Sequence, residues 1–186
     1  MRRDYWVAEF AIETERLILR NWRVDDVDAL YKICSDPEVM EFIGPPQSKS
    51  EVRAAVAQQQ AFQAELGHCY WAIEHKVDQT VIGFCGLMPM PAAIPLAPCI
   101  DIGWRLAASE QRKGYAREAA LASLAWGFAN LDCNRIWAIT VWNNLRSYTL
   151  MERLGMERHA DLDFDHPNVP DESPLKRHIT YSISQS

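Results

Sequence analysis

The stretch from Cys99 to Asn130 constrains the fold of this chain more than any other. Cys99-Ile-Asp-Ile-Gly-Trp-Arg-Leu106 reads as a strand, and Gly114 to about Asn130 reads as a helix. Only the loop from Ala107 to Lys113 joins them, so the helix N-terminus faces the end of the strand. Ala120, Leu121, Leu124, Ala125 and Phe128 are expected to pack that helix on a sheet. Just upstream, Pro89, Pro91, Pro95 and Pro98 make residues 89 to 98 a stiff loop without regular ladder bonds.

The remaining elements follow from the same periodicities. Residues 15 to 22 alternate as a half-buried strand. Asp25 and Asp26 open a helix whose inward face is Val27, Leu30, Tyr31 and Cys34. After Pro45-Pro46, Ser48 or Ser50 caps a second helix, roughly 49 to 66, ended by Gly67. Strands are expected at 70 to 75 and 81 to 87 around an Asp78-Gln79 turn, at 135 to 142, and at 176 to 183. A further helix, 144 to 154, closes at Gly155. No repeat or linker interrupts the order, which predicts one α/β domain over 1–186 with an extension at 1–13 and an acidic loop at 161–175.

At 186 residues, 48% hydrophobic and 24% charged, the chain is long enough for a core and ordinary for a globular protein. A net charge of −6 argues against a nucleic-acid-binding surface. No apolar run approaches a membrane span, and Glu9, Glu13 and Glu15 stand where a signal peptide would need an apolar core. The expectation is a cytoplasmic protein. Five scattered cysteines without C-x-x-C spacing read as buried, reduced thiols, with no metal site.

Gln111-Arg-Lys-Gly-Tyr-Ala-Arg117 is the most informative segment. Gly114 permits φ > 0 at the loop-to-helix junction, and Ala116 leaves the first turn uncluttered. Free N–H groups there can wrap an anion, aided by the helix dipole. Arg105, Arg112, Lys113 and Arg117 against Glu110 make residues 105 to 117 locally +3 inside an acidic chain. A capped helix with solvated basic residues fits the same residues. The segment is neither a P-loop nor a dinucleotide-binding fingerprint.

Gln111-x-x-Gly114-x-Ala116 resembles the Q/R-x-x-G-x-G/A motif of the GNAT superfamily of acyl-CoA-dependent N-acetyltransferases. The resemblance extends from Thr14-Glu-Arg-Leu-Ile-Leu-Arg20, through Asp101-Ile-Gly-Trp-Arg-Leu106, to Asn144-x-x-Ser147 and Leu154-Gly155-Met156. The opening T-E-R-L-x-L-R is similar to the RimJ/RimL branch, named for ribosomal-protein N-terminal acetylation. This implies a mixed, mostly antiparallel sheet of about six to seven strands, splayed between the fourth and fifth and flanked by helices. It implies acetyl-CoA as co-substrate and an amine acceptor such as a protein N-terminus, with the chain a monomer or homodimer. Backbone groups of Gln111, Arg112, Lys113, Gly114, Tyr115, Ala116 and Arg117 would hold the CoA pyrophosphate. Trp104, Arg105 and Leu106 would pair with pantetheine amides, and Asn144 would reach the pantetheine arm.

The implied reaction is direct attack of a neutral amine on the acetyl thioester. A lysine-type ammonium near ~10.4 needs help to lose its proton, an α-amino group near ~7.7–8.0 far less. Asp101, on the strand leading to the loop, is the candidate base; a structural carboxylate is the other reading of it. Glu74 and His75 are weaker alternatives. Met151 occupies the position where many GNAT members carry a tyrosine as the acid, so Ser147 is the candidate proton donor and CoA contact, with Tyr148 beside it. Met151 also leaves open a CoA-binding or sensing module without turnover. Asp161, Asp163, Asp165, Asp171 and Glu172 form either an acidic surface loop or a lip that attracts a cationic acceptor. Trp104, Trp137 and Trp142 read as core or cleft lining.

Overall fold

The computed structural model describes residues 10–185. It begins with two short antiparallel strands, β1 (Ala11–Glu13) and β2 (Leu17–Arg20). Residues 1–9 of the expected N-terminal extension lie outside the described residues, whereas residues 11–13 join the sheet. A 3-10 turn at Val24–Asp26 leads into α1 (Val27–Cys34). The short α2 (Pro37–Met40), not foreseen from the sequence, starts where the Asp36 carboxylate accepts the Glu38 N–H. α3 (Lys49–Leu66) is capped by Ser48, not Ser50, in a reciprocal box with Glu51, and Gly67 ends it at φ 78°. There follow β3 (Tyr70–His75), β4 (Val81–Pro89), β5 (Ile100–Leu106), α4 (Tyr115–Asn130), β6 (Arg135–Val141), α5 (Leu145–Arg153), β7 (Glu157–Arg158), β8 (Phe164–Asp165) and β9 (Arg177–Ser184).

These strands form one nine-stranded sheet in the order β1-β2-β3-β4-β5-β6-β9-β7, with β8 also on β9. Three strands beyond the expected set, β1, β7 and β8, are two or three residues long, too short to show a period. All pairings are antiparallel except β5 with β6. Those two share only the pairs Ile100–Ile136 and Asp101–Trp137 before they part. The splay therefore falls between the fourth and fifth of the strands read from the sequence.

Strand alternation sorts the side chains to two faces. One face carries the buried Leu17, Leu19, Trp71, Ile73, Cys85, Leu87, Ile102 and Ile136, and α4 lies on it. The approach is close: a Cβ on Gly127 would stand 2.4 Å from Leu87 Cδ1 and 3.0 Å from Ile136 Cδ1. The packed side of α4 is thus Ala119, Ala120, Ser123, Leu124 and Gly127, rotated from the expected face, with Leu121 40% exposed. Small residues win that side because they let the helix axis come nearer the sheet.

The opposite face receives α1, whose buried residues are Val27, Leu30, Ile33 and Cys34, with Tyr31 only half-buried. Here Arg20 bridges two carboxylates, Asp26 at 2.8 Å and Glu74 at 2.6 Å, and all three are buried. Farther along, Met90 and Ile94 of the proline-rich stretch pack on Phe164. The acidic segment is more structured than a loop. Asp163 pairs with Arg158, Asp165 with Arg177, and Asp171 with Lys176. Cys34, Cys69 and Cys85 are buried, but Cys99 and Cys133 are partly exposed, unlike the expectation for all five. No helix among the described residues is long and apolar enough to cross a membrane.

Candidate active site

Where β5 and β6 part, a cleft of about 780 Å³ opens. The sheet opens there because the two strands lose their shared ladder, which exposes the end of β5 between α4 and α5. Of the residues expected at the site, Asp101, Trp104, Arg105, Leu106, Gln111, Arg112, Gly114, Ala116, Arg117, Asn144 and Ser147 line the cleft. Lys113, Tyr115 and Tyr148 are not among its lining residues. The Lys113 ammonium pairs with Glu110, Tyr115 meets His75 at 3.1 Å, and Tyr148 packs against the core.

Gly114 sits at φ 86° and Arg112 at φ 62°, both left-handed, and together they curl the loop into α4. No side chain caps the helix start, because its N-cap is Gly114. The first-turn N–H groups are therefore free to meet an anion. Arg112 and Arg117 line the rim with Arg146 and Arg153 of α5. The last two escape a sequence reading because a cation on a helix looks solvated. A polyanionic cofactor such as CoA fits this combination of uncapped donors and cations.

The loop is held from behind by the Thr14-Glu15-Arg16 turn. Arg16 donates to the Lys113 carbonyl (3.0 Å) and to Glu118 Oε2 (2.7 Å), while Thr14 Oγ1 donates to Glu118 Oε1 (2.6 Å). Burial pushes the Glu118 carboxyl up, but these hydrogen bonds outweigh it and hold it below the usual carboxylate value. Gln111 ties the loop to both neighbours, donating to the Leu106 carbonyl (3.2 Å) and accepting from Arg146 (3.3 Å). Asn144 caps α5, accepting the Ser147 N–H at 3.3 Å and donating to Thr140 Oγ1 at 3.1 Å, so its amide is engaged at both ends.

Asp101 lies at the apex, the last β5 residue paired with β6. Its Oδ2 accepts from the Tyr70 hydroxyl at 2.7 Å, and its Oδ1 is buried with no hydrogen-bond partner among the described residues. Burial pushes the carboxyl up to about 7, with the Tyr70 hydrogen bond acting against the shift. Burial and the Asp101 charge raise the Tyr70 phenol well above its ordinary value. Sequence reasoning missed Tyr70. Its signal is Gly103, a glycine inside a strand, where a Cβ would stand 2.9 Å from the Tyr70 ring. The weaker base candidates lie elsewhere: Glu74 is bound to Arg20, and His75 faces Tyr115 and Asp78. Met151 is buried on the cleft wall.

The family profile described as "Acetyltransferase (GNAT) domain" matches residues 16–157, from the Arg16 clamp past the end of α5. The chain belongs to the GNAT acetyltransferase family. This GNAT protein is 30% identical over 152 residues to the uncharacterized N-acetyltransferase YnaD of Bacillus subtilis (strain 168), covering 80% of this chain and 84% of the relative. It superposes on a GNAT-family acetyltransferase from Bacillus anthracis with TM-score 0.78 and 25% identity, over 94% of this chain and 98% of the other. It shares its fold with RimL, a ribosomal L7/L12 alpha-N-protein acetyltransferase, at TM-score 0.77 and 16% identity, over 95% of each chain.

Proposed function

We propose that this GNAT protein moves an acetyl group from acetyl-CoA to a primary amine by direct attack in a ternary complex. The observation that carries the reading is the Asp101 carboxyl, held near neutrality at the point where β5 and β6 diverge. A base with a pKa close to the working pH is suited to take a proton from an amine.

The backbone of residues 111–117 would hold the CoA pyrophosphate, with Arg112 and Arg117 adding charge. Residues 104–106 would pair with the pantetheine arm. When bound, acetyl-CoA supplies the activated acyl group. Asp101 accepts the amine proton, Tyr70 orients the carboxylate, and the Ser147 hydroxyl donates toward the departing sulfur. The fold shared with RimL adds protein N-termini to the acceptors worth testing.

Acetyl-CoA-dependent thiol release across a panel of amines and N-terminal peptides tests the reading. Turnover with at least one amine supports it. Thermal stabilisation by CoA with no thiol release across the panel replaces it with a CoA-binding module, which Met151 at the family's tyrosine position would suit.

A further inference from the structure

Among the described residues, Arg105 is the cleft cation whose partners do not match its chemistry. By alternation it shares a face of β5 with Asp101 and Gly103, turned away from α4. Its guanidinium lies over the Phe84 ring, 5.1 Å from the centroid, and Nη1 meets the Cys34 thiol at 3.0 Å. Its Nε is buried with no hydrogen-bond partner, and no carboxylate pairs with it among the described residues. A thiol is a weak acceptor. A planar guanidinium fork fixed on an aromatic ring is shaped to receive a carboxylate.

Arg112 and Arg117 of the CoA loop line the same cleft as Arg105, but α4, into which that loop leads, packs on the sheet face opposite the Arg105 side chain. The Arg105 guanidinium thus leaves β5 on the side away from the helix start proposed for the pyrophosphate. In the segment after α5, Asp163, Asp165 and Asp171 are each paired with a nearby cation, Arg158, Arg177 and Lys176.

We infer that Arg105 receives an acidic group of the acceptor, so that the substrate is a primary amine that also carries a carboxylate. This rests on the reading of the cleft as an acetyl-transfer site with Asp101 at its apex. Asp101 and Arg105 are four residues apart on one strand face, so their Cα atoms are separated by about 13 Å. The Tyr70 ring lies over Gly103 between them and forms a flat floor for the connecting chain. The acid must then stand several bonds from the amine. An ω-amino acid and an acidic side chain near a peptide N-terminus present the same chemistry.

Two sets of matched acceptors separate these sources: γ-aminobutyrate and ε-aminohexanoate against their amides, and alanine-initiated tripeptides with Glu against Gln at the second or third position. The acid member of at least one set should show a kcat/KM roughly tenfold or more above its amide, as a lost charge-assisted contact to a buried donor implies. Arg105→Gln should bring that ratio to about one, and Arg105→Lys should retain part of it. Equal turnover of acids and amides in both sets, or a ratio unchanged in Arg105→Gln, overturns the inference. Calorimetric binding of the same pairs to the CoA-saturated protein gives an independent readout. Acid-selective binding lost in Arg105→Gln without turnover keeps the carboxylate site and removes the transfer reading; turnover without selectivity does the reverse. A CoA-induced rise in Tm confirms that each variant is folded.

Discussion

Asp101, the proposed base, is a single buried carboxyl on which both activity and stability should depend. If it is the base, kcat rises with pH through an acid limb near 7, the value to which burial pushes it. Asp101→Asn should lower kcat about 100-fold or more and abolish that limb. Tyr70→Phe removes the hydrogen bond that opposes the shift, so the limb should move to higher pH; an unmoved limb disconnects the pair from the chemistry. The same group shapes stability. Its folded value lies above its unfolded one, so the folded state binds more protons between about 4 and 7. The associated stability is present at low pH and lost as pH rises through about 7. Urea midpoints of Asp101→Asn should accordingly be flatter between pH 5 and 8 than those of the parent. Ser147→Ala should reduce kcat more than it raises the acetyl-CoA KM, and equal kcat removes Ser147 from proton transfer. Asp101 is legible in the sequence because it stands on the strand leading to the loop. Tyr70 is not, because its contact with Asp101 spans 31 positions of sequence.

Between elements, the conspicuous joint is the clamp from the β1–β2 turn onto the start of α4. Thr14 and Arg16 hold Glu118 and the Lys113 carbonyl, so the T-E-R segment sets the angle at which the loop enters the helix. Glu118→Gln keeps the shape but loses the charged acceptor for Arg16. The acetyl-CoA KM should rise several-fold with a smaller change in kcat; a KM equal to the parent's shows that the loop holds its form alone. Gly114→Val is harsher, since φ 86° is unfavourable for a β-branched residue and its Cβ would press on Arg16 at 3.2 Å. A roughly tenfold or larger increase in the acetyl-CoA KM is expected, and unchanged affinity refutes the loop assignment. The loop's glycine and cations can be read locally. The clamp joins residues about a hundred positions apart, and no local pattern encodes that.

Across the whole molecule, the buried Arg20–Asp26–Glu74 group fixes the start of α1 to the sheet. Removing its cation by Arg20→Ala leaves two buried carboxylates without their central guanidinium, Glu74 keeping Arg23 at 3.6 Å, and should cost about 3–5 kcal/mol, seen as a lower urea midpoint; a midpoint shift near zero shows that water reaches the group. The order and type of the main elements, the glycine-basic turn before α4 and Asp101 as a candidate base were all present in the one-dimensional chain. Hydrophobic period, caps and turn residues act within a few positions, so they show there. Which side of α4 meets the sheet, that Tyr70 holds Asp101, and that Arg105 lacks a carboxylate became visible in three dimensions alone. Those outcomes depend on register and desolvation, which arise when distant segments are packed together.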